Sequence, residues 1–170
     1  MKFGCLGPKT NSVIAAQKCA SSIDELVMYS RMELVFQALK DKKVDRILIP
    51  IRNSITGEIT RYSSLINGYE TIKEFAIPIN HNLGCANGNH SIIKSHPEVL
   101  KQCKNYLDLN YPESERESTT STESAAKIVS ETKKGIAIAN LDTCLHYGLK
   151  ILDKDIVENN YSTFVLLKNV

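Results

Sequence analysis

Apolar and polar positions alternate along this chain in short bursts, and the period of the bursts changes in a regular order. Lys2 to Leu6 is an apolar run stopped by Gly7-Pro8, which reads as a strand. Residues from about Ser12 to Ala20 read as a helix, and Glu25 to Tyr29 as a second strand. Ser30 precedes Glu33 at the spacing of a capping box, and Leu34, Val35, Ala38 and Leu39 then share one helical face. Arg46 to Pro50 is apolar enough for a central strand. Beyond it the period becomes two: Phe75, Ile77, Ile79, His81, Leu83 and Cys85 fall on one face. Pro78 inside that run suits an edge or a crossing point. We place there the passage from a first lobe, about 1–77 plus 152–170, to a second, about 78–151.

The second lobe repeats the rhythm. Ile92-Ile93-Lys94 reads as a strand, and Pro97 opens a helix whose apolar face is Val99, Leu100, Cys103 and Leu107. Tyr111 to Thr120 is polar and mixes loop with a weak strand. Thr120 and Glu123 form a second capping box ahead of Ala125, Ile128 and Val129. Gly135 to Ala139 is a buried strand, and Thr163 to Leu167 a last strand that returns to the first lobe. Alternating strands and helices predict an α/β fold with mostly parallel strands.

Composition narrows the function classes. With 42% hydrophobic and 24% charged residues among 170, the chain can bury a core. A net charge of +2, with Lys40 to Lys43 and Lys133-Lys134 near helix ends where cations complement the helix dipole, predicts no nucleic-acid surface. No apolar stretch approaches the roughly 20 residues a bilayer span needs. The opening residues lack a signal-peptide apolar region, so a cytoplasmic location is expected. The five cysteines and four histidines lack disulfide or metal-ligand spacing. His96 and Cys103 sit beside one helix, but core packing accounts for Cys103 better than a nucleophile pair does.

Ligands of open α/β sheets bind beyond the carboxyl ends of the strands. Junctions led by small polar residues stand at Gly7-Pro8 to Ser12, Pro50 to Ser54, Ser95-His96-Pro97 and Thr120-Ser121-Thr122. Each hydroxyl can simply cap its own helix. Together, the free N–H groups of several helix starts suit a small anion with two carboxylates. Neither a phosphate loop nor a dinucleotide fingerprint is present.

At this point the chain resembles prephenate dehydratases over essentially its whole length. Leu6-Gly7-Pro8-Lys9 resembles the family's first strand and turn, and Pro50 to Gly57 its P-I-E-N-S-x-x-G segment. Ile79 to Leu83 is similar to I-x-H-x-L, and Ser95 to Cys103 to S-H-P-x-x-x-x-Q-C, the most specific stretch. Ser121-Thr122 with Ala125-Ala126 resembles S-T-x-x-A-A, and Tyr147 to Leu152 matches Y-G-L-x-I-L. Asn160 to Phe164 stands where the family has N-x-T-R-F. The resemblance implies two lobes like those of type II periplasmic binding proteins, with the active site between them. It implies loss of CO2 and water from prephenate to give phenylpyruvate, with no metal or organic cofactor. It further implies Ser162 as proton donor with Asn53 as the second catalytic residue. Ser54, Ser95, His96, Gln102, Ser121, Thr122 and Phe164 would bind the substrate. A homodimer lies within what the resemblance implies; nucleic-acid and membrane partners do not.

Three departures stand out. Ser162 replaces the family Thr, Thr163 replaces Arg, and Arg52 replaces the Glu of P-I-E-N-S. We expect Arg52 to take over carboxylate binding from the missing Arg. The first loop, Lys9-Thr10-Asn11-Ser12, is also one residue shorter than the family's and lacks its second Gly. The sequence ends at Val170, leaving no room for the phenylalanine-binding ACT domain, so activity insensitive to phenylalanine is expected. The same departures fit a non-aromatising prephenate decarboxylase of natural-product pathways, which keeps the ring hydroxyl. A catalytically inactive small-anion binding protein is the reading of a different class.

Overall fold

Two sheets, each covered by helices on both faces, account for the strand–helix rhythm. The computed structural model describes residues 1–8, 10–21 and 24–170; Lys9, part of the opening resemblance and of the shortened first loop, lies outside them. Unit 1 comprises 1–79 and 161–170, and unit 2 comprises 80–160. Unit 1 carries β1 (Lys2–Leu6), α1 (Asn11–Cys19), β2 (Glu25–Tyr29), α2 (Met32–Lys40), β3 (Arg46–Asn53), β4 (Gly57–Glu58), α3 (Ser63–Ile66) and β5 (Glu70–Pro78). Unit 2 carries β6 (Asn82–Cys85), β7 (Ile92–Ser95), α4 (Pro97–Gln102), α5 (Lys104–Asn110), β8 (Glu115–Ser118), α6 (Thr122–Thr132), β9 (Ile136–Ala139), α7 (Leu141–His146) and β10 (Lys150–Asp153). The chain then returns to unit 1 as β11 (Tyr161–Lys168).

The unit 1 sheet has the order β2-β1-β3-β11-β5, with β4 paired to β3. Its neighbours are parallel around β1 and antiparallel around β11. In unit 2 the order is β10-β6-β9-β7-β8, parallel around β7 and antiparallel around β6. Both sheets are therefore mixed rather than mostly parallel, because the strand that returns to unit 1 and the first strand of unit 2 run against their neighbours.

Alternation along the strands builds two apolar layers per unit. In unit 1, Ile47, Ile49, Val165 and Leu167 meet Val35, Phe36 and Leu39 of α2, while Phe3, Leu48, Phe164 and Leu166 meet Ala15 and Ala16 of α1. In unit 2, Ile136 and Ile138 pack under Val99, Cys103 and Leu107. The intervening Ala137 and Ala139 meet Ala125, Ala126 and Val129 of α6. Small residues on both sides allow α6 to lie close to its sheet. Gly135 immediately precedes β9 with φ +83, and a Cβ there would lie 2.5 Å from the Ile92 carbonyl oxygen, so only glycine fits.

Several local expectations are corrected. Helix α2 is capped by Arg31, without a side-chain cap bond, so Ser30 and Glu33 form no capping box. Leu34 is exposed and Phe36 buried on that helix. Helix α6 begins one residue later than the Thr120 box requires: Ser121 is the cap, and its hydroxyl accepts from Ser124 N. Glu123 instead accepts from the Tyr147 hydroxyl. The single helix expected after Pro97 is divided at Cys103, whose ψ of −1 interrupts the regular turn. Pro50 to Ser54 opens no helix; β3 runs through it into a tight turn and β4.

Candidate functional site

In unit 1 the decisive feature is a β-bulge. From Leu167 back to Phe164, β11 pairs in step with Ile47, Leu48, Ile49 and Pro50. The register then jumps, so that Thr163 faces Arg52 and Ser162 faces Asn53, leaving Ile51 as the extra residue. Pro50, which has no N–H to give, is still in register with Phe164, and the extra residue follows it directly, a common neighbour for a strand proline. Side chains alternate with period two, so one extra residue turns all that follow to the other face. Without it, Asn53 would follow Ile47, Ile49 and Ile51 toward α2. With it, Asn53 joins Ser162 on the face that carries Phe164 and Leu166.

The polar contacts at this point are specific. Asn53 is 3% exposed. Its Oδ1 accepts from the backbone N–H of Ile55 at 2.9 Å and of Thr56 at 3.2 Å, which holds the turn after β3. Its Nδ2 donates to Ser162 Oγ at 3.1 Å and to the Tyr161 carbonyl at 3.2 Å. Ser54 ties the same turn to β11: its N–H donates to the Tyr161 carbonyl and its Oγ accepts from Tyr161 N, both at 2.8 Å. The Asn53 amide therefore occupies one lone pair of the Ser162 hydroxyl. The hydroxyl proton is directed elsewhere, and among the described residues no acceptor takes it. A donor aimed at Oγ favours the oxygen carrying negative charge.

Arg52 and Phe164 lie differently from the sequence expectation. Arg52 sits on the same face as Thr163, the position of the missing family Arg, and so faces away from Asn53 and Ser162. Its guanidinium pairs with Glu74 at 3.5 Å, and both side chains are about half exposed. Strand alternation after the bulge thus places Arg52 on the face opposite Asn53 and Ser162, beside Glu74. Exposed pairs of this kind contribute about 0–1 kcal/mol. Arg52→Ala is expected to leave KM for the substrate within about twofold and to lower stability by less than about 1 kcal/mol, read by steady-state kinetics and urea titration. Phe164 is 1% exposed and stacks on Phe75 with ring centroids 6.3 Å apart, a core position rather than an open binding surface.

Unit 2 gathers polar residues at one edge of its sheet. The parallel strands β7 and β9 end at Ser95 and Ala139, and β8 ends at Ser118, so their carboxyl ends share that edge. Ser95 is fully buried, and its hydroxyl donates to the Ile138 carbonyl at 2.8 Å, locking β7 to β9. His96 caps α4, its Nδ1 accepting from Glu98 N at 3.2 Å. Ser121 caps α6, with Thr122 as its first residue, and Thr119 Oγ1 donates to the Ser121 carbonyl at 2.9 Å. Asn140 caps α7 by accepting from Thr143 N at 2.8 Å. Gln102 ends α4 within reach of His81 and Asn160. Lys94 and Glu117 form an ion pair at 2.5 Å across β7 and β8, with the lysine side chain 9% exposed. The edge thus holds three capped helix starts. His96 and Cys103 form no nucleophile pair: burial pushes the Cys103 thiol up to about 12, which keeps it protonated and inert. Asn140 was missed in sequence, although its spacing to Thr143 after a buried strand is a readable cap. No group of three or more potential metal ligands exists among the described residues, and no described helix is long and apolar enough to cross a membrane.

Comparison with known proteins gives this arrangement its family. A family model for prephenate dehydratase matches residues 3–170. The chain belongs to the prephenate dehydratase family. A prephenate dehydratase from Lactococcus lactis subsp. lactis (strain IL1403) is 32% identical over 98% of this chain and 63% of its own length. The crystal structure of a prephenate dehydratase from Staphylococcus aureus subsp. aureus Mu50 matches with TM-score 0.77 at 25% identity, over 100% of this chain and 67% of that one. A periplasmic substrate-binding protein of an ABC transporter from Coxiella burnetii is similar in fold alone, with TM-score 0.58 at 13% identity over 98% of this chain and 84% of that one. The fold is therefore α/β, of the kind shared by prephenate dehydratases and periplasmic binding proteins. The chain spans 63% of the Lactococcus relative's length. Ser162, the residue the sequence resemblance sets at the Thr of T-R-F, is the hydroxyl that Asn53 addresses.

Proposed function

We propose that this chain converts prephenate to phenylpyruvate, with Ser162 as the acid. The observation that carries the reading is the Asn53 Nδ2 donation to Ser162 Oγ at 3.1 Å. The ring carboxylate leaves as CO2, and the electrons of the broken C–C bond aromatise the ring. The C–O bond to the ring hydroxyl breaks, and the leaving oxygen takes the Ser162 proton to depart as water. Asn53 stabilises the serine oxygen as its proton moves, and solvent then reprotonates it. General acid assistance of this kind contributes about 10²–10⁴-fold. The remaining carboxylate is assigned to Gln102 and to Ser121 and Thr122, where the start of α6 offers N–H groups and a partial positive charge. His96 and Ser95 shape the neighbouring helix start and strand end, and Ser54 holds the turn beside Asn53. A cytoplasmic location belongs to the same reading.

The test is incubation of the protein with prephenate near neutral pH, with products identified by NMR against a protein-free control. Phenylpyruvate formed well above the control is the expected result. A decarboxylated product that keeps its hydroxyl and two ring double bonds would replace this reading with a non-aromatising decarboxylase. Tight binding without turnover would leave a binding protein.

A further inference from the structure

We infer that His81 and Asn160 are positioning residues that fix which way round Gln102 presents its side-chain amide, so that Gln102 offers N–H donors to an anionic oxygen of the ligand. All three residues belong to unit 2. His81 precedes β6, Gln102 ends α4 and Asn160 is the last residue before β11. Gln102 Oε1 lies 2.6 Å from His81 Nε2 and accepts from Asn160 Nδ2 at 2.9 Å. A carbonyl oxygen has two lone pairs, and here both are used. His81 is 2% and Asn160 3% exposed, so water does not compete for either contact.

The tautomer follows from the same geometry. Burial pushes the His81 pKa down, against the smaller upward effect of the Gln102 contact, so the ring is neutral and carries one proton. The amide oxygen can only accept, which places that proton on Nε2. An amide is planar, so fixing Oε1 toward His81 and Asn160 turns Nε2 the other way. Among the described residues nothing accepts from Gln102 Nε2. An amide left to flip would present a lone pair as often as a donor, and a lone pair repels a carboxylate. The clamp removes that choice before the ligand arrives, which is preorganisation.

The inference rests on the proposed function for its ligand, and its test separates the two. Kinetics with prephenate are compared for the wild-type chain, His81→Gln, His81→Leu and Asn160→Leu, each with its Tm. His81→Gln keeps an N–H near the place of Nε2 and is expected to hold KM within about threefold. Either leucine variant is expected to raise KM about ten- to hundredfold with a smaller change in kcat, the size of a lost hydrogen bond to a charged group. In a Gln102→Met background, His81→Leu is expected to add nothing to KM, which a merely structural role would not produce. Wild-type turnover with an unchanged KM in His81→Leu would overturn the clamp and leave the function standing. A wild-type chain that does not process prephenate would overturn the function instead. The clamp is then read in the ligand-free protein by NMR, from the side-chain NH2 of Gln102, identified by its loss in Gln102→Met. That group is expected to show no close approach to the His81 ring; a strong cross-relaxation signal between them would refute the orientation. This measurement also decides the matter if the leucine variants fail to fold.

Discussion

Ser162→Ala is expected to lower kcat for prephenate by about 10²–10⁴-fold, the usual contribution of a positioned general acid. KM should move little, because the serine is assigned to the bond-breaking step and not to binding. Ser162→Thr restores the residue type of the family's T-R-F segment, and the hydroxyl that Asn53 addresses survives the change. Thr is also β-branched, which narrows its χ1 choices beside the bulge. That variant is expected to keep kcat within about tenfold of wild type, well inside the loss from removing the acid. Both are read from single-turnover formation of phenylpyruvate, with Tm as the control for folding. If Ser162→Ala keeps wild-type kcat, the acid is another group and the Asn53–Ser162 contact is only a tie between β3 and β11.

Phe164→Ala is expected to cost about 3–5 kcal/mol of stability, the range for deleting a buried aromatic side chain. Phe164 is 1% exposed and packs with Phe75, Leu48, Ile77 and Leu166 under α1. Against a total stability of about 5–15 kcal/mol, that loss removes between about a fifth and all of it. For a chain of this size it corresponds to a Tm lower by roughly 6–20 °C. Phe164→Leu keeps most of the volume and is expected to cost about 1–2 kcal/mol, with KM unchanged. The pair of variants distinguishes a core role from contact with a substrate ring. A large rise in KM for Phe164→Leu at near wild-type Tm would restore the binding role that the T-R-F resemblance implies. Urea unfolding followed by two probes also shows whether the two units unfold together.

Much of the fold was legible in the chain because it depends on local periodicity and on punctuation by Gly and Pro. β1, β2, β7 and β9 were readable from apolar runs, whereas β8 is polar and showed only as a weak strand within Tyr111 to Thr120. Helix ends were less legible. Ser30 and Thr120 each stand at the spacing of a capping box, but Arg31 and Ser121 are the caps, because whether a hydroxyl or its neighbour lies at the helix start depends on where the preceding segment stops. The direction of β6 and β11 was not readable either, since chain reversal between sheets is a property of the path and not of any local pattern.

The candidate site divides along the same line. The residues proposed to carry the chemistry, Ser162, Asn53, Gln102 and the start of α6, were picked out by residue type and by the order of motifs along the chain. Which of them meet was decided by tertiary structure alone. Pro50 was visible as a residue without an N–H, but the bulge that follows it at Ile51 exists only in the pairing of β3 with β11. That single extra residue turns Asn53 toward Ser162 and Arg52 toward Glu74. The reason is that alternation has period two, so one displaced residue exchanges the faces of a strand, and nothing in a one-dimensional pattern records whether the displacement occurs. Likewise His81 and Asn160 are far apart in sequence, and only the fold of unit 2 brings both to one oxygen of Gln102.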